Sequence, residues 1–191
     1  MAGYYDQGVL IHNLCDSDPK DVLVNHGPTK LLVDNYHWHS PNVGIVASYT
    51  PNDRDVEDHF NIFRGVDQIE AFAQATSGSC SVFLECQKLA STPAELSKKF
   101  MPRFLSIGQV NFIGYLEKGD TFISIGNIKF YKFRQIVCDG RIYKCPAGIN
   151  LDKHFEDFTE ERLMAYDIGA GFTLIAEFND ITGRSIKKEL I

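Results

Sequence analysis

The sequence predicts an α+β domain in which an antiparallel sheet curls around one central buried helix. Residues 66–87 carry Val66, Ile69, Phe72, Ala73, Thr76, Cys80 and Phe83 at three- and four-residue steps, while Ala71, Ala75 and Val82 make the opposite side apolar too. A helix apolar on most sides is wrapped by other structure. From Phe104 onward, segments rich in Ile, Phe and Tyr alternate with tight-turn dipeptides, as antiparallel strands do. With 191 residues and 44% hydrophobic content, the chain can bury one core but is short for two full domains.

Taken in order, residues 1–20 show no period and read as a loose lead-in. Residues 30–34 (Lys-Leu-Leu-Val-Asp) and 43–50 read as strands, the second bounded by Pro41-Asn42 and Pro51-Asn52. After the long helix, residues 91–99 form a polar connector holding a short helix capped by Ser91 or Thr92. Residues 104–116 are strand-like and end at Lys118-Gly119-Asp120. Residues 121–125 then turn at Gly126-Asn127 into 128–138, and Asp139-Gly140 gives a second hairpin into 141–145. A composition shift at Pro146-Ala147-Gly148 separates the domain, residues 21–146, from an extension, residues 147–191. That extension holds a helix near 159–166 and a strand near 172–178, packed over the sheet or across a tunnel mouth.

The net charge of −6 argues against a nucleic-acid groove, which leans on surplus Lys and Arg. The five cysteines are odd in number and lack zinc-type spacing. No apolar run approaches the roughly 20 residues that span a bilayer, and no secretory leader pattern opens the chain. The expectation is a soluble cytoplasmic protein whose thiols serve as small apolar residues.

The most informative stretch is 59–74. His59-Phe60 precedes Gly65-Val66 at the start of the long helix, and Glu70-Ala71 with Ala73-Gln74 follow within it. A histidine of ordinary pKa near 6.5 can take a proton at neutral pH, and a carboxyl in the helix's first turns can give one. The pattern resembles the beta-hydroxyacyl-acyl-carrier-protein dehydratases. Three more segments are similar in the same order: His26-Gly27-Pro28-Thr29-Lys30-Leu31-Leu32-Val33-Asp34, then Val110-Asn111-Phe112 with Glu117-Lys118-Gly119-Asp120-Thr121, then Cys138-Asp139-Gly140-Arg141 as a late turn. Together they cover about residues 22–146. Three fewer residues separate His59 from Glu70 than in the family, and the intervening Asn61-Ile62-Phe63-Arg64 has no proline.

The resemblance implies a hot-dog fold and dehydration of a (3R)-hydroxyacyl thioester to the trans-2-enoyl thioester. His59 would be the base and Glu70 the acid. The N–H groups of Gly65 and Val66 would stabilise charge on the thioester oxygen, and Gln74 would support the acid or line the tunnel. It also implies that each site takes His59 from one protomer and Glu70 from the other, in a homodimer or dimer-based oligomer, or in a heteromer with a related subunit. No metal or organic cofactor is expected, since the substrate brings its own phosphopantetheine arm. An acyl carrier protein is the expected partner, docked on a basic rim drawn from Lys98, Lys99, Arg103, Lys129, Lys132 and Arg134. Two other functions remain open: a hot-dog thioesterase led by Glu70, and a non-catalytic acyl- or carrier-binding subunit. His26 reads as structural rather than catalytic, and His37 and His39 as sharing one polar sheet face.

Overall fold

The computed structural model describes residues 3–190. The first of these are not loose. β1 (Tyr4–Asp6) pairs with β2 (Val9–Ile11) through left-handed Gln7 and Gly8. Tyr4, Ile11 and Leu14 are buried, and Tyr4 meets the Phe83 ring edge-on at 5.6 Å. α1 (Pro19–Val22), capped by Asp18, buries Val22 in the same cluster. A three-residue strand is too short to show a period, so only its contact with the distant helix reveals it.

Residues 31–34 lie outside any strand, contrary to expectation. Their backbone is held instead by one side chain: Leu32 N–H donates to Gln74 Oε1 at 2.8 Å, and Gln74 Nε2 donates to the Lys30 carbonyl at 2.8 Å. β3 (Asn35–Ser40) and β4 (Gly44–Tyr49) follow as an antiparallel pair. A one-residue irregularity at His37 breaks the alternation. Tyr36 and His39 therefore face the helix, bonded to Ser79 and Leu14, while His37 and Trp38 face Phe155 and Phe158 on the far side. The two histidines do not share a face.

After α2 (Asp53–Val56) and β5 (Ile62–Phe63), the predicted long helix runs over residues 65–89. It comprises α3 (Gly65–Ala73), a π-helical turn (Gln74–Gly78) and α4 (Ser79–Leu89). The wider turn falls where Thr76, Ser77, Gly78 and Ser79 follow one another. Their hydroxyls bond back to the Phe72, Ala73 and Gln74 carbonyls, satisfying groups the ladder would otherwise leave loose. α5 (Pro93–Lys99) carries a capping box of Thr92 and Glu95.

The remaining strands are β6 (Phe100–Ser106), β7 (Gln109–Phe112), β8 (Leu116–Glu117), β9 (Phe122–Lys132) and β10 (Gln135–Lys144). Beyond them lie α6 (Leu151–Phe155), α7 (Glu160–Ala165) and β11 (Thr173–Lys187). The main antiparallel sheet has the order β3-β4-β9-β10-β11-β6, with β7 also paired to β11. The break near residue 146 is thus not the edge of the sheet: β11, from the expected extension, lies between β10 and β6. Meanwhile α6 and α7 cover the outer face through Leu151, Phe155 and Leu163 against Val46, Ile123 and Ile125.

Neither expected hairpin turn is a turn. Gly126-Asn127 lies inside β9 and Asp139-Gly140 inside β10; the chain reverses at Phe133-Arg134, with left-handed φ of 53° and 62°. Gly126 and Gly140 are paired across the two strands. A Cβ on Gly126 would sit 2.4 Å from Thr76 Cγ2, and one on Gly140 would sit 2.6 Å from Phe72 Cε2. The glycines mark where the helix crosses the sheet, a close-approach role that reads from sequence like a turn signal.

His39 gives the fold an acid sensitivity. It is 4% exposed, its Nδ1 accepts from Leu14 N–H at 3.3 Å, and its Nε2 has no hydrogen-bond partner. Burial lowers its pKa to about 3. The unfolded chain therefore binds a proton below about pH 6.5 that the folded chain refuses until about pH 3. Stability from this residue is full above that upper value and lost as pH falls through the window. Denaturant titrations at pH 6.5 and 4.5 should show about 2 kcal/mol less pH-dependent loss in His39→Gln than in wild type.

Candidate active site

His59 follows α2, which Asn52 caps with a reciprocal bond from Asp55. Asp58, Phe60 and Asn61 all have left-handed φ, between 54° and 62°. This tight, proline-free turn closes with Ile62 N–H on the His59 carbonyl at 2.9 Å. β5 then pairs with β8, tying the loop to the strand region. His59 Nδ1 lies 3.0 Å from the Ile62 carbonyl. A carbonyl only accepts, so Nδ1 carries the proton and Nε2 presents its lone pair. Beside it, Phe60 is 92% exposed.

The helix that follows starts at Gly65 with no side-chain cap from Arg64, which instead clasps Asp67 at 2.6 Å. The first N–H groups of such a helix start carry partial positive charge. The space a Gly65 Cβ would fill is taken by the Phe112 ring, 2.9 Å from that position, so Gly65 first accommodates this ring. Val66 is exposed at the same helix end.

Glu70 lies one turn further on, its side chain about half exposed at 48%. Gln74 Nε2 donates to Glu70 Oε1 at 2.8 Å, and Gln74 is itself 2% exposed. One buried amide thus fixes both the carboxylate and the 30–32 backbone. Glu70 stands where two cavities meet. One, of about 200 Å³, runs along the helix past Ala73, Ser77 and Ser81 towards Phe104. The other, of about 590 Å³, opens past Lys30, Arg54, Phe63 and Arg64.

His59 lines neither cavity. The histidine that borders both is His26, whose Nδ1 is 4.0 Å from Glu70 Oε1. Its place in the early motif was the only sequence signal for that position. Of the expected basic rim, Lys129 is engaged by Asp139 and Asp180, and Arg134 stacks over Phe100; Lys98 and Lys99 are exposed at the end of α5. Among the described residues, no group of three or more His, Cys, Asp or Glu is gathered as a metal site would need, and no helix is long and apolar enough to cross a membrane.

The helix and its wrapping sheet overlay on the dehydratase heterocomplex ApeI:P from Xenorhabdus doucetiae over 91% of this chain and 94% of that one, with TM-score 0.63 and 12% identity. The chain has the hot-dog fold. Looser overlaps include a mutant thioesterase PA1618 from Pseudomonas aeruginosa, at TM-score 0.43 and 11% identity over 80% of this chain and 81% of that one. The PaaI protein of the E. coli phenylacetic acid degradation operon overlaps at TM-score 0.44 and 10% identity, over 77% and 79%. No protein-family model matches the chain, and no curated relative matches it in sequence.

Proposed function

We propose that this hot-dog protein dehydrates a (3R)-hydroxyacyl thioester carried on a phosphopantetheine arm, with His59 as base and Glu70 as acid in sites shared between two subunits. One observation carries the reading. Glu70, fixed by Gln74, and His59, with its Nε2 lone pair free, flank the uncapped start of one helix, yet His59 lines neither of the two cavities that meet at Glu70. A second subunit is where the missing half of each site would come from. The face offered to it supports this: the β6–β7 edge exposes Phe104, Leu105, Ile107 and Phe112, near-contiguous apolar residues of the kind subunit interfaces cover.

In the reaction, Nε2 of His59 takes the proton from the carbon beside the thioester carbonyl. The N–H groups of Gly65 and Val66 meet the negative charge that develops on the carbonyl oxygen. Glu70 protonates the leaving hydroxyl, which departs as water. The alkyl chain would lie along the groove of Ala73, Ser77 and Ser81, and the arm in the wider cleft. An acyl carrier protein would deliver it, with exposed Lys98 and Lys99 as basic charges. An ApeI:P-like heteromer is the alternative assembly, in which a related subunit supplies one half.

Mixing tests shared sites. His59→Ala and Glu70→Gln, each inactive alone, are co-refolded in equal amounts. Half of the dimers are then mixed, each with one intact site, so about a quarter of wild-type activity returns. Sites confined to one chain would give none.

A further inference from the structure

We propose that the acyl groove continues past Ser81 into a small end chamber, where Glu85 accepts a hydrogen bond from a hydroxyl at the far end of the chain; this rests on reading the Glu70 groove as the acyl channel. Three observations place the chamber there. Glu70, Ala73, Ser77, Ser81 and Glu85 follow one another at three- and four-residue steps, a single stripe along the long helix. A second cavity adjoins the groove, and Ser81, Pro102 and Ser185 line both. Glu85 lines that second cavity together with Val22, Leu96 and Phe100.

Glu85 is the unusual group in these walls. It is 3% exposed, although a carboxylate is seldom buried unless it is paired. Its Oε1 accepts a hydrogen bond from Tyr131 O–H, and among the described residues Oε2 accepts none. Oε2 is not sealed off either, so it opens on the chamber. A carboxylate can accept from several donors, and one left short in an apolar pocket costs free energy until a donor arrives.

Size and charge select that donor. The chamber holds about 30 Å³, room for roughly one or two water-sized groups and not for a ring. A cation already stands at its edge, since the Arg134 guanidinium lies 4.9 Å from the centre of the Phe100 ring. An ammonium would meet that charge and lose its own hydration, whereas a hydroxyl brings one hydrogen and no charge. With it in place, Tyr131 serves Oε1 and the chain serves Oε2.

Length follows from the helix. Fifteen residues separate Glu70 from Glu85, roughly 22 Å along the axis; less a hydrogen bond at each end, that span suits an extended chain of about sixteen carbons.

The test is calorimetric binding of two pantetheine thioesters, hexadecanoyl and ω-hydroxyhexadecanoyl. Neither has a 3-hydroxyl to lose, so affinity is read without turnover. The wild type should bind the ω-hydroxy ester about tenfold more tightly, as one hydrogen bond to a carboxylate allows. In the double variant Glu85→Met with Tyr131→Phe, both partners become apolar, so the thermal midpoint should stay near the wild-type value while the preference vanishes or reverses. The dodecanoyl pair, too short to reach Glu85, should show no preference in the wild type, which tests the chamber even if the double variant does not fold. Equal affinity for the hexadecanoyl pair in the wild type overturns the proposal, as does a preference that persists in the double variant or in the dodecanoyl pair. Dehydration of a 3-hydroxyacyl thioester is scored separately: its absence beside an intact preference sinks the dehydratase reading and leaves the chamber standing.

Discussion

Glu70→Gln is expected to lower dehydration kcat by about 10²–10⁴-fold, the range that a positioned acid or base contributes. The amide keeps the size of the carboxyl but has no proton to give. Because the side chain is half exposed and accepts a hydrogen bond from Gln74, folding should be unaffected. The thermal midpoint checks that, while loss of the conjugated enoyl absorbance in the hydration direction reads the activity. His59→Ala should cost a similar factor, since it removes the Nε2 lone pair. A structural role for either residue would instead show as a lowered midpoint with activity per folded molecule retained. The same pair of variants separates dehydration from hydrolysis. A thioesterase led by Glu70 would survive His59→Ala and fall only with Glu70→Gln, whereas a binding subunit would show no turnover in any form.

The second large effect concerns the fold. Gly140→Ala should destabilise the protein by about 3 kcal/mol or more, at the top of the range for overpacked cores. The added methyl would lie 2.2 Å from the Ile125 carbonyl oxygen and 2.6 Å from the Phe72 ring. Neither can yield cheaply. The carbonyl belongs to the β9–β10 ladder, and Phe72 is stacked flat on Phe178 with centroids 4.2 Å apart. Gly148→Ala is the control: its φ of 73° also disfavours a side chain, but nothing lies within 4 Å of the added methyl. The expected cost there is only the roughly 1 kcal/mol of left-handed strain. Urea unfolding of the two variants would separate close approach from turn conformation. If Gly140 behaved like Gly148, the crossing of helix and sheet would not be what requires it.

That contrast also explains which parts of the fold were legible. The long helix was, because a 3.6-residue apolar period repeats over many turns and little else produces it. So was the cap at Thr92, one of the two residues the sequence offered, where a hydroxyl precedes a first turn carrying Glu95. The hairpins were misplaced because Gly-Asn and Asp-Gly have the same composition whether a chain reverses or merely passes under a helix. The actual turn, Phe133-Arg134, carries no glycine at all. The end of the sheet was misplaced for a related reason. β11 has no adjacent partner in sequence, and its neighbours, β10 on one side and β6 with β7 on the other, are chosen by the sheet as a whole.

The candidate site divides in the same way. Residues 59–74 alone determined the kinds of chemistry on offer, an imidazole and a carboxyl beside a helix start, because those groups and their order are properties of the chain. Composition likewise set the excess of acidic over basic side chains. The tertiary structure decided which groups face one another. It set the His59 tautomer through the Ile62 carbonyl, bound Gln74 to Glu70 and the 30–32 backbone, and brought His26 beside the carboxyl. The physical reason is that such contacts join residues dozens of positions apart. Periodicity and local propensity act over a few residues, while hydrogen bonds and close packing form wherever the folded backbone brings their partners within reach.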